Sequence, residues 1–104
     1  MQVFERDSIT LTVFSSKRWD IHNDNIDIEV TLNDGRRFAA TLFTLPNLAA
    51  LLQEYSRSGE CASGTFVWCV QMIVLRDLSE DSIFLTVREL ASTGEIKSAM
   101  LAIE

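Results

Sequence analysis

The sequence predicts an α+β domain: a mixed, mainly antiparallel sheet of about four strands with two helices, in the order β-β-β-α-β-α. Three observations carry this. Ile26, Ile28, Val30 and Leu32 alternate strictly with Asp27, Glu29 and Thr31, the pattern of a strand with one dry and one wet face. Asn33-Asp34-Gly35 follows at once, and this is a hairpin signal. Two later stretches, after Pro46 and after Ser79, have helical periodicity closed by Gly59 and Gly94.

In chain order, Ile9, Leu11 and Val13 alternate with Thr10 and Thr12 and predict the first strand. Ser15 to Asn25 is a polar loop that holds Trp19 and Ile21. The strand over 26–32 and its hairpin partner have two candidate registers. A two-residue loop sets Leu32 against Arg37 and Ile28 against Thr41. A three-residue loop, with Gly35 left-handed, sets Val30 against Phe38, Ile28 against Ala40 and Ile26 against Leu42. The second keeps the core face apolar and is the expected one. It also puts Glu29 and Arg37 on one outer face, as an exposed pair of small energetic value.

Pro46 suits the first turn of a helix. Leu48, Leu51, Leu52 and Tyr55 form its stripe, Arg57 lies near its C-terminus and Gly59 caps it. For the second helix, Ser79 is the N-cap, and Glu80 and Asp81 face the positive end of the dipole. Leu78 and Ile83 make a hydrophobic staple, and Ile83, Val87, Leu90 and Ala91 line the buried face. This helix is expected over Glu80 to Thr93. Both helices end in similar Gly-Glu sequences, which cap chemistry explains without an internal repeat. Residues 96–103 read as a last strand or a docked tail.

Residues 65–75, TFVWCVQMIVL, contain one strongly polar residue, Gln71. Their richness in Val, Ile, Phe and Trp predicts a strand, placed centrally in the sheet. One face would carry Phe66, Trp68, Val70, Met72 and Val74, the other Val67, Cys69, Gln71, Ile73 and Leu75. Two helices on one side of the sheet leave the other side of this strand to be covered. Phe, Trp and Met are enriched at interface centres, so the expected cover is a protein partner or a second copy. The competing expectation is self-cover by the loop holding Trp19 or by residues 96–103. Phe66, Trp68, Met72, Asp27 and Glu29 are the candidate partner-binding residues.

The 104 residues fit one domain, and a chain of this length can bury a real core. The apolar fraction is 47% and the net charge −6. That acidity disfavours nucleic acid as a partner and could attract a basic one. Arg76 and Asp77 end the apolar run well short of the ~20 residues that span a membrane. The N-terminal MQVFERDS has charges where a signal peptide is apolar, so a cytoplasmic location is expected. Cys61 and Cys69 fit a reducing compartment as free, buried thiols.

No catalytic or cofactor signature is present, and no cofactor is expected. Cys61 follows a helix C-terminus beside Glu60, and both influences disfavour a thiolate. No G-x-S-x-G or phosphate-cradling glycine loop occurs. Asp20, His22 and Asp24 alternate like the start of a calcium loop. The template then needs Gly at its sixth position and Glu at its twelfth, where this chain has Asn25 and Thr31. No calcium or zinc site is therefore expected there.

Phe66, Trp68, Met72, Ile73 and Val74, followed by the Leu78-Ser79-Glu80 helix start and the Gly94-Glu95 exit, resemble small uncharacterised bacterial proteins. Some similarly small, acidic bacterial proteins are immunity proteins that neutralise toxins. The resemblance spans residues 26–98, has no diagnostic motif, and implies a bacterial source without supplying active-site residues. The expected function is a non-enzymatic interaction module, immunity-like or regulatory. Its rivals are a homo-oligomer of another role, and a ligand-binding protein or enzyme whose pocket joins distant residues.

Overall fold

The computed structural model describes residues 1–104. Four strands, β1 (Gln2–Arg6), β2 (Ile9–Val13), β3 (Asn25–Thr31) and β4 (Arg37–Phe43), run antiparallel in chain order. The β3–β4 register sets Val30 against Phe38, Ile28 against Ala40 and Ile26 against Leu42, with Gly35 left-handed at φ 89°. This is the three-residue-loop alternative, selected because a one-residue slip would turn Ile28 and Val30 out to water. Arg37 Nη2 donates to Glu29 Oε2 at 3.5 Å across the outer face.

The sheet has six strands and the chain four helical segments, more than the four and two expected. β1 is the first addition. Its link to β2 is Asp7-Ser8, both with positive φ (50° and 64°). This is the backbone of a tight two-residue hairpin turn, made here without glycine. The far edge of β4 is shared end to end by two short strands. β6 (Leu101–Ile103) lies antiparallel along 37–39, and β5 (Met72–Val74) lies parallel along 41–43.

The reading of 65–75 as a long central strand is corrected. Only Met72–Val74 is paired, and it sits at the edge of the sheet. Two causes are visible. Gln71 has φ 51°, which breaks the extended path. β6 occupies the other half of the β4 edge, so a longer strand has no place to pair.

The two long helices have different roles. α1 (Leu45–Ser58) is capped by the Thr44 side chain and closed by Gly59 at φ 90°, and none of its residues is buried. It was expected to lie on the sheet, but its stripe of Leu48, Leu51, Leu52 and Tyr55 is only half-buried. What packs closely on it is the next turn, α2 (Glu60–Gly64). A Cβ added to Gly64 would collide with the Leu52 carbonyl oxygen and stand 2.8 Å from the Ser56 nitrogen. Within α2, Cys61, Ala62 and Ser63 hold φ of 50–56° and ψ of 44–54°, so the turn winds left-handed. α1 and the residues that follow it therefore form a limb beside the sheet.

α3 (Glu80–Thr93) covers the inner face. Ser79 caps it by accepting from the Ser82 nitrogen, and Gly94 closes it at φ 80°. Ile83, Phe84 and Val87 enter the core with Ile9, Leu11 and Val13 of β2, Ile26, Ile28 and Val30 of β3, and Phe38, Ala40 and Leu42 of β4. α4 (Ile96–Ala99) adds Ile96, followed by Met100. The loop tryptophan, Trp19, docks on this inner side: its Nε1 donates to the Leu78 carbonyl at 2.7 Å, and its ring meets Phe4 edge-on at 6.1 Å. No helix is long and apolar enough to cross a membrane.

Candidate protein-interaction surface

The outer face of the sheet follows from the strand registers. Residues whose neighbours along the chain point inward point outward themselves. One row across the sheet reads Val3, Thr12, Glu29, Ala39, Leu101, and the next reads Asp27, Thr41, Met72. Phe14 follows β2 and donates its backbone N–H to the Asp27 carbonyl at 3.0 Å. Between these rows lies an open groove of about 240 Å³. Asp27, Glu29, Ala39 and Thr41 form its floor, while Phe14, Val70 and Leu101 stand around it. Asp27 Oδ1 accepts from Thr41 Oγ1 at 2.6 Å, and Glu29 has only the long contact to Arg37. The floor is acidic and the rim apolar.

Val70 joins this groove to the limb. Residues 66–70 keep the alternation expected of them. Phe66 (46% exposed), Trp68 (66%) and Val70 (65%) face solvent, whereas Val67 and Cys69 are half-buried. The backbone N–H groups of Phe66, Val67, Trp68, Cys69 and Val70 have no acceptor within the chain. The segment is thus apolar and unpaired up to the turn at Val70 and Gln71. Neither expected form of self-cover protects it: the Trp19 loop docks on the inner side, and residues 101–103 pair with β4.

The five sequence-derived candidates divide accordingly. Asp27 and Met72 share one row through Thr41, and Glu29 lies in the next. Trp68 and Phe66 stand on the limb, reached through Val70. Met72 is half-buried, not a free anchor. Phe14 and Leu101 were missed. Phe14 continues the outward set of Thr10 and Thr12, a signal present in the sequence. Leu101 lies in the tail whose structure the sequence left open.

Other chemistry-bearing residues are absorbed by structure. Asp20 Oδ1 accepts from the His22 nitrogen at 2.9 Å, and Asp24 accepts from the nitrogens of Asp20 and Asn25 at 3.0 and 2.8 Å. These carboxylates hold the loop that delivers Trp19. Cys61 and Cys69 are free thiols, half-buried and not fully buried as expected; Cys69 also lies outside any strand. Asp77 accepts from the hydroxyls of Ser82 and Ser79, each at 2.7 Å, and from the Ser79 nitrogen at 3.0 Å. Led by the Ser82 bond, these donors hold its carboxyl at about 2. Asp77 fastens the start of α3. A second cleft, of about 360 Å³, lies between Trp19 and the start of α3. Its indole N–H is taken by Leu78, and its Glu80 and Asp81 by Arg6 at 3.0 and 2.6 Å.

Compared with family models, curated proteins and solved structures, the chain matches none.

Proposed function

We propose that the protein is a non-enzymatic interaction module of a bacterial cytoplasm, immunity-like or regulatory, which binds a basic, apolar segment of a partner protein. One observation carries the reading. The acidic groove floor of Asp27 and Glu29 lies inside an apolar rim that includes Phe14 and Leu101. An apolar rim with one aromatic ring, Phe14, around a charged floor suits a segment that alternates apolar and cationic side chains. The net charge of −6 adds attraction over distance.

The test uses an ¹⁵N-labelled sample titrated with a panel of extended peptides that alternate Lys or Arg with Leu or Phe. The reading expects amide shifts at Phe14, Asp27, Ala39, Thr41 and Val70. It also expects binding to weaken with added salt and to be lost in Asp27→Lys/Glu29→Lys. Shifts confined to the α3 side, or none with any peptide or with the products of adjacent genes, would sink it.

A further inference from the structure

We infer that two copies of this chain associate through residues 66–70, which pair antiparallel with the same residues of the second copy. The first ground is the backbone. Five consecutive residues carry backbone N–H groups with no acceptor in the chain, in an apolar stretch that ends in the turn at Val70 and Gln71, and an unprotected edge of this kind is a template for pairing with another chain. Natural edges are usually guarded by lysine, proline or a bulge. This one has no charge and no proline anywhere between Glu60 and Arg76.

The second ground is charge. A protein of net charge −6 repels its own copy over most of its surface. Of its 24 Lys, Arg, Asp and Glu residues, only Glu54, Arg57 and Glu60 fall within residues 38–75. A second copy therefore meets least repulsion on the limb. The pairing uses the limb up to Val70 and leaves Asp27 and Glu29 on the groove floor uncovered.

The third ground is surface. A chain of 11.7 kDa folded as a lone globule exposes about 5,900 Å², and this chain exposes 6363 Å². Its radius of gyration is 14.4 Å, against about 12.9 Å for a compact domain of this length. The surface of about 500 Å² beyond that of a lone globule reflects an elongated chain, 45 Å along its longest axis. Leu45, Phe66, Trp68, Val70 and Val74, all on residues 45–74, are five of the ten exposed large apolar side chains.

Two-fold antiparallel pairing centred on Trp68 is self-complementary. Trp68 meets its own copy, Phe66 meets Val70 of the second copy on the same face, and Val67 meets Cys69 on the other. Every pair is apolar, and the centre holds the residue type most enriched at binding hot spots.

The experiment is sedimentation velocity on the full chain, from nanomolar to high micromolar, for the wild type, Trp68→Lys, Val70→Lys and a control, Ser98→Lys. Because Trp68 and Val70 are exposed, both variants should melt like the wild type as monomers. The pairing predicts a concentration-dependent dimer for wild type and control. Each lysine variant should weaken it by roughly a hundredfold or more, since symmetry places two lysines, one from each copy, in an apolar contact. A mixed sample of labelled and unlabelled chains should show intermolecular NOEs between Phe66 and Val70. A wild type that stays monomeric throughout would overturn the inference. So would a dimer that tolerates both lysines, or intermolecular NOEs confined to other residues.

Discussion

Replacing Phe84 by Ala should destabilise the protein far more than replacing Leu51 by Ala, although each side chain lies on the apolar stripe of a 14-residue helix. Phe84 is 1% exposed and sits between α3 and the sheet. Its loss should cost ~3–5 kcal/mol in transfer and cavity terms. The Arg6 guanidinium lies 5.1 Å from the centre of its ring, and losing that contact adds up to ~1 kcal/mol. Leu51 is only half-buried, and alanine is the better helix former. The net loss there should be about 1 kcal/mol or less. A domain of this length has ~5–15 kcal/mol in total, so Phe84→Ala should leave a marginal fold. With a urea slope near ~1.5 kcal/mol/M, its midpoint should fall by ~2–4 M and that of Leu51→Ala by well under ~1 M. Urea melts followed by far-UV circular dichroism, at concentrations where the chain is monomeric, measure both. Equal losses at the two positions would mean that α1 is packed into the body of the domain, and would refute the division into core helix and limb.

Three further outcomes are expected. The carboxyl of Asp77 is held at about 2 in the fold, below the ~3.9 of an unfolded aspartate. Its stabilising effect is therefore full above about pH 4 and lost as the pH falls through 2; urea midpoints against pH should flatten in that window for Asp77→Asn, and parallel curves would contradict it. Ala62→Gly should raise stability by about 0.5–1 kcal/mol by relieving a left-handed residue at φ 53°, whereas Gly64→Ala should lower it by well over 1 kcal/mol, because its Cβ would meet the Leu52 carbonyl. Thermal melts check both signs. Trp19→Phe keeps most of the packing on Phe4 but leaves the Leu78 carbonyl without its indole donor, so a loss of ~1–2 kcal/mol is expected in the same melts.

Much of the fold was legible because local and tertiary signals agree. The register of β3 and β4 could be read because the alternation of Ile26 to Leu32 admits one pairing that keeps the core dry. Ser79, the Leu78–Ile83 staple and Gly94 bounded α3 for the same reason. β1 was missed because its turn, Asp7-Ser8, takes positive φ without glycine. The run 65–75 misled because composition reports what side chains prefer, not whether a neighbouring edge is free. β6 had taken half of that edge. The stripe of α1 gave the right helix and the wrong partner, because periodicity shows that a face is apolar without showing what lies against it. Of the candidate surface, Asp27 and Glu29 were legible as the wet face of a strand. Val70 was one of an outward set, but its place at the groove depends on the bend at Gln71.

The central claim is that residues 66–70 form an exposed edge covered only from outside the chain. Amide hydrogen exchange of Phe66 to Val70, resolved by residue and repeated over a wide concentration range, tests it most directly. These amides have no acceptor within the chain, so they should exchange at nearly unprotected rates in dilute solution, while the β3 and β4 amides stay slow. Concentration should then slow exchange across 66–70 and leave loop amides such as Asn33 and Asp34 unchanged. Strong protection of Phe66 to Val70 at every concentration, lowest included, would mean that the chain covers this edge itself and would contradict the account.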